Sequence, residues 1–258
     1  MYHTVGAIAL FVAVSTRCFP DIPFVKALQR LADLDFTCSE IAIGDGANDL
    51  HPEWIAQDLT RASRMCLTSR QISPISLFLD YAPQSPQYAS KFVAALQLCQ
   101  ALRIGVVVVK SSVQGSPYNE EYERFRQMAQ LANRVGVSVA ALTEANTIAG
   151  TIDSIQSLCG SLHGLTVALD PSHFIYGHKP PVDYESIIPY VSHVHLRDTT
   201  SKKFQVQIGQ GELEYNRLVA QLNRQGYSRA LCIDLAPLPN IDQDSELRKM
   251  RLLVESIL

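Results

Sequence analysis

The sequence has no excess of basic residues: 22 Lys and Arg stand against 25 Asp and Glu, a net charge of −3. That is not the strong basic excess of a general nucleic-acid binder, whose affinity rests on neutralising phosphates, so no nucleic-acid partner is expected. None of the six cysteines (Cys18, Cys38, Cys66, Cys99, Cys159, Cys232) pairs with another in a CxxC spacing. Neither a zinc ribbon nor a disulfide framework is indicated, and the reducing cytoplasm is the expected compartment. No apolar run approaches the ~18 residues that span a bilayer, so no membrane association is expected. The apolar start from Val5 to Val14 lacks the basic residues that precede a secretory signal and reads as a first strand. No linker-like or low-complexity segment interrupts the chain, which favours a single domain over residues 1–258.

What the sequence does have is alternation. Short aliphatic runs alternate with longer amphipathic stretches, the pattern of parallel strands joined by crossover helices. Eight strands are expected, near Gly6–Val14, Cys38–Ile43, Ile72–Leu79, Ile104–Lys110, Val137–Glu144, Leu165–Asp170, Val191–Leu196 and Ala230–Leu235. Helices are expected over Asp21–Leu34 with an Asp cap, Pro52–Met65, Pro86–Leu102 and Tyr118–Val135. A 258-residue chain divided into eight gives about 32 residues per unit, the size of a βα repeat in a TIM barrel of ~250 residues. The fold class read from this is α/β, a single (β/α)8 TIM barrel.

Side chains alternate across a strand, so the faces can be separated. Val137, Val139 and Ala141 oppose Ser138, Ala140, Leu142 and Glu144; Leu165, Val167 and Leu169 oppose Thr166, Ala168 and Asp170; Leu231, Ile233 and Leu235 oppose Ala230, Cys232 and Asp234. The aliphatic faces should meet the outer helices, and the smaller, more polar faces should fill the barrel. Glu144, Asp170 and Asp234 then end their strands facing inward, with His195 at the end of the seventh. Catalytic groups of barrels gather at that end. Three converging carboxylates repel unless something neutralises them, which points to one divalent metal ion, Mn2+ or Mg2+ first, with Zn2+, Co2+ or Fe2+ also compatible.

The segments Leu142-Thr-Glu144-Ala-Asn146, Ala168-Leu-Asp170-Pro-Ser-His173, His193-Val-His195-Leu-Arg197-Asp198 and Gln207-Ile-Gly209-Gln-Gly211 resemble motifs of the sugar phosphate isomerase/epimerase proteins of the xylose-isomerase-like superfamily. The resemblance implies that Glu144, Asp170 and His195 are metal ligands and that His173 lies beside the substrate. It matches Asp234 to a fourth ligand that is usually Glu and that also works as an acid/base in the epimerases. Catalytic roles are therefore expected for Glu144, Asp234 and His173. Arg197, Lys110 and Glu40 are expected to line the substrate pocket, with an ion pair to a neighbouring acid as the alternative for Arg197. His193 reads as a hydrogen-bonded core residue, and Gly209 and Gly211 as turn residues.

The expected activity is that of a metal-dependent isomerase or epimerase acting on a small polyhydroxy carbonyl compound: a ketose, sugar phosphate, sugar acid or inosose. It would remove a proton next to a carbonyl. Three alternatives accompany it. A lyase of the inosose-dehydratase type shares the first step, and a non-catalytic sugar binder would keep only the barrel. A phosphodiesterase related to the apurinic endonucleases is the third, but Lys110 stands where those enzymes carry a histidine, and Thr199–Gln207 holds neither His nor Asp for a third metal. Barrels of this kind often pair as homodimers, though no feature of the sequence fixes the oligomeric state.

Overall fold

A computed structural model describes residues 10–44 and 50–258. Eight parallel strands pair in chain order and close, β8 to β1, into a barrel. They are β1 (Phe11–Ser15), β2 (Cys38–Gly44), β3 (Ser73–Asp80), β4 (Val106–Val109), β5 (Ser138–Leu142), β6 (Leu165–Leu169), β7 (Val191–Leu196) and β8 (Ala230–Ile233). The helices are α1 (Phe24–Asp33), α2 (Pro52–Gln57), α3 (Leu59–Cys66), α4 (Tyr88–Leu102), α5 (Tyr118–Asn133), α6 (Ile152–Ser161), α7 (Ser172–Ile175), α8 (Tyr215–Arg224) and α9 (Gln243–Glu255). No described helix is long and apolar enough to cross a membrane.

The two faces of the strands separate as the alternation requires. Val139, Ala141, Leu165, Val167, Leu169, Leu231 and Ile233 join the large cluster between sheet and helices. Ala140, Leu142 and Ala168 pack inside with Ala42, Phe78 and Val108, while Ala13, Ala230 and Cys232 form a second interior group. Alanine on so many inward positions makes room for Phe78 and for the imidazoles of His193 and His195. The edge of Phe78 meets His195 at 5.6 Å between ring centres. Outside, α1 buries Phe24, Ala27, Leu28, Leu31 and Ala32, the spacing of one helical face.

Several boundaries differ from the sequence reading. The expected first strand begins before Leu10 in part outside the described residues; its described portion is Phe11–Ser15. The helix expected over Pro52–Met65 is two, because the Asp58 carboxylate accepts a hydrogen bond from the Arg61 backbone N–H at 2.9 Å and starts a new helix there. Asp21 caps nothing: α1 begins at Phe24 behind Pro23 without a side-chain cap. Strands β5, β6 and β8 end before their acids. Asp170 and Asp234 stand one residue beyond, still buried, and Glu144 stands two beyond, where its N–H already turns back to the Leu142 carbonyl at 2.9 Å.

Candidate active site

The carboxyl ends of the strands carry a linked chain of charges. Lys110, just past β4, pairs with Asp80 at the end of β3 (2.6 Å), and Asp80 also holds Arg17, in the turn after β1 (2.9 Å). Arg17 continues to Asp234 (2.8 Å). Asp234 shares its Oδ2 with Arg197, whose Nη2 lies 2.8 Å from it and 2.9 Å from Asp170 Oδ2. The second oxygen of Asp170 accepts hydrogen bonds from the N–H (3.0 Å) and the hydroxyl of Ser172. Three cations thus meet three carboxylates. Burial alone would raise the pKa of Asp170, but Arg197 and the hydrogen bond from Ser172 outweigh it and hold the carboxyl below its ordinary value. Burial acts in the same direction on Asp234, and Arg17 and Arg197 likewise reverse it.

One layer deeper lies Glu40, fully buried on β2. Its two oxygens are each 3.0 Å from His195 Nε2, and Ser76 donates to it at 3.4 Å. His193 Nε2 is 2.9 Å from the same carboxylate but out of line for a hydrogen bond. Burial lowers the pKa of His193, whereas for His195 the Glu40 carboxylate overcomes burial and raises it. Cys232 completes a cluster with Glu40, His193 and His195 in which the potential donor atoms all lie within 4.8 Å of one another, a donor set that could hold a metal ion.

Glu144 and His173 stand at the edge of the mouth. No ion pair or side-chain hydrogen bond engages the half-buried Glu144 carboxylate among the described residues. His173 accepts a hydrogen bond at Nδ1 from the Ala145 N–H (3.1 Å), and burial lowers its pKa. Those two facts define one state: a neutral imidazole with its proton on Nε2, which lies 3.8 Å from Asp170 Oδ2. Phe204 covers this side, its ring 4.6 Å from that of His173 and 4.7 Å from the Arg197 guanidinium carbon. The loop that brings it there is tied down by Asp198, whose Oδ2 accepts from the N–H groups of Gly209 (2.7 Å) and Gly211 (3.0 Å). The two glycines bind a carboxylate of their own chain, and Gly209 needs its positive φ of 90° to do so.

Of the residues expected at the site, Asp170, Asp234, Arg197, Lys110 and His173 come together around the mouth. His195 is drawn to Glu40 and belongs to the deeper group. Arg17, Asp80, Asp198 and Phe204 were not expected. The parity that singles out Asp170 also reaches two of them, since Arg17 follows Ala13 and Ser15, and Asp80 follows Phe78, on inward-facing positions.

Whether a divalent ion fits the expected set of Glu144, Asp170, His195 and Asp234 can be judged from its oxygens. The donor types suit a hard or borderline cation, and His195 Nδ1 is buried with no hydrogen-bond partner among the described residues. The arrangement does not suit one: a single guanidinium nitrogen lies between Asp170 Oδ2 and Asp234 Oδ2, and Arg17 takes the latter oxygen as well. The convergence of acids that called for a cation is already neutralised by arginine.

Comparison with known proteins agrees with the fold. A xylose isomerase-like TIM barrel protein from Mycobacterium smegmatis, solved in complex with magnesium, superposes with a TM-score of 0.76 at 15% identity, covering 100% of both chains. An IolI protein with a binding zinc atom does so with a TM-score of 0.72 at 15% identity over 96% of this chain and 98% of that one. An L-ribulose 3-epimerase gives 0.70 at 14% identity over 95% of each. None of the functionally curated proteins matches the sequence. The profile described as xylose isomerase-like TIM barrel matches residues 28–250, and with the closed eight-stranded barrel this shows that the chain belongs to the xylose isomerase-like TIM barrel family.

Proposed function

We propose that the chain is an isomerase or epimerase that moves a proton next to the carbonyl of a small polyhydroxy compound: a ketose, sugar phosphate, sugar acid or inosose. The observation that carries the reading is Glu144, the one acid expected at the site that no cation engages among the described residues, next in the chain to the Ala145 N–H that holds His173 and at the same end of the barrel as the fixed cations. Removing a C–H proton needs a free carboxylate, and the enediolate that forms needs donors placed where its negative charge develops. Glu144 is the base. His173 Nε2–H and Arg197 stabilise the oxygen, and the partly exposed Arg17 and Lys110 (side chains 30% and 28% exposed) orient the substrate. Asp234, held by two arginines, supports them rather than exchanging protons. Glu40 fixes the deeper imidazoles. A lyase that eliminates water after the same enolisation shares this arrangement.

A second reading keeps the metal: Mn2+ or Mg2+, or Zn2+ or Co2+, held by Glu144, Asp170, His195 and Asp234. The Nδ1 of His195, which has no partner among the described residues, favours it, as do the neighbours solved with magnesium and zinc. Proton abstraction itself is tested by solvent deuterium. Incubation of ketoses, sugar acids and inososes in D2O should place deuterium next to the carbonyl of the true substrate class. Absence of exchange across the panel, with and without added Mn2+, rules the proposal out.

A further inference from the structure

We infer that in this chain the Arg197 guanidinium stands in the position of a divalent cation, so that the positive charge at the barrel mouth is built from side chains. Four observations converge on it. Nη2 of Arg197 is bound at 2.9 and 2.8 Å to one oxygen each of Asp170 and Asp234, which is how a shared cation bridges two carboxylates. Its Nε also donates to Asp170 Oδ2 at 3.1 Å, so the plane of the group is fixed. The remaining oxygen of Asp170 is taken by Ser172, and Asp234 Oδ2 receives Arg17 at 2.8 Å, so the two oxygens that bridge through Arg197 and the second oxygen of Asp170 are all engaged. Finally, Arg197 is only 7% exposed beneath Phe204, which shields the contact from exchange with solvent ions.

An ion entering between Asp170 and Asp234 would have to expel the buried Arg197 guanidinium and then sit beside Arg17, held there by Asp80 and Asp234. Like charges that close oppose one another strongly in a poorly hydrated site. The inference goes beyond the enolisation reading and does not depend on it, because metal binding is measured without any substrate.

The test is a titration of EDTA-treated, dialysed full-length protein with Mn2+, reading the free ion by electron paramagnetic resonance. Zn2+ is followed in parallel by elemental analysis after dialysis. The wild-type chain should bind no ion that Asp170→Asn removes. Arg197→Met, which keeps the bulk of the stem and leaves two buried carboxylates without their shared cation, should gain one Mn2+ per chain, with circular dichroism confirming that it is folded. An ion bound equally by wild type and Asp170→Asn lies away from the mouth, at a place such as the Glu40 cluster, and accords with the inference. Stoichiometric Mn2+ or Zn2+ binding by the wild type that Asp170→Asn abolishes overturns it, as does a folded Arg197→Met protein that binds no more Mn2+ than the wild type.

Discussion

Within the acids of the barrel mouth, the division of labour follows from which cation each one touches. Asp170 and Asp234 are occupied by arginine, while Glu144 is not. Glu144→Gln should therefore lower deuterium exchange by about 10²- to 10⁴-fold, the usual contribution of a general base, and leave the melting temperature near that of the wild type. His173→Ala removes the Nε2–H donor and should lower kcat by about 10²-fold with a smaller change in KM, as measured by steady-state kinetics on the responsive substrate. The pH dependence has a defined sign. Protonated His173 would turn an Nδ1–H against the Ala145 N–H that it now accepts, so the neutral form is the working one. Burial lowers its pKa from the ordinary value of about 6.5, so activity should persist below that pH and fall only as the pH drops through the depressed value. An acid limb at or above pH ~6.5 that His173→Ala shifts would contradict this. The linked stability runs in the same direction: the unfolded chain takes the proton more readily, so this residue makes folding weaker as the pH falls below about 6.5.

At the scale of elements, the loops after the strands are held by buried acids. Glu121, near the start of α5, accepts from the Ser112 N–H and hydroxyl, each at 2.8 Å, and pairs with Arg124 at 2.7 Å. It thereby anchors the turn that leaves β4 beside Lys110, whose carbonyl Arg124 also reaches at 3.0 Å. Glu121→Ala leaves the partly buried Arg124 guanidinium with the Lys110 carbonyl but without its carboxylate, frees the Ser112 N–H, and should cost about 2 kcal/mol in urea denaturation. Burial opposes the charge of Glu121, but Arg124 and Ser112 hold its pKa below the ordinary value. Its stabilising effect is therefore present above about pH 4.3 and is lost as the pH falls through the lowered value. The loop after β7 depends instead on the absence of side chains. A Cβ on Gly211 would overlap the Asp198 carboxylate and the Thr199 backbone. Gly211→Ala should loosen the loop and displace Phe204 from Arg197 and His173, lowering kcat/KM by about 10- to 10²-fold while the barrel stays folded. An unchanged kcat/KM in that variant would show that Phe204 does not set the geometry of the site.

For the whole molecule, the sequence was most legible where a rule acts along the chain. Alternation in Leu165–Leu169 and Ala230–Ile233 separates outer aliphatic residues from inner small ones because successive side chains of a strand must point to opposite faces. Repetition of that pattern eight times, with helices between, fixes the barrel, since parallel neighbours need crossovers and the connections share one hand. The ends of elements were less legible. Pro52–Met65 carries a continuous helical pattern, and only the hydrogen bond made by Asp58 divides it. Glu144 lies beyond its strand, where parity no longer dictates direction.

The sequence by itself determined the barrel, the inward faces of its strands and the presence of acids and histidines at their carboxyl ends, because these follow from local geometry and residue type. Only the tertiary structure decided how the charges pair. Arg17 and Asp234 are 217 positions apart, and Asp170 and Arg197 are separated by 27. Which carboxylate meets which cation depends on distances across the closed mouth that no spacing along the chain encodes. The same is true of His195, which the chain places two residues from Arg197 but which the fold turns toward Glu40, 155 positions away.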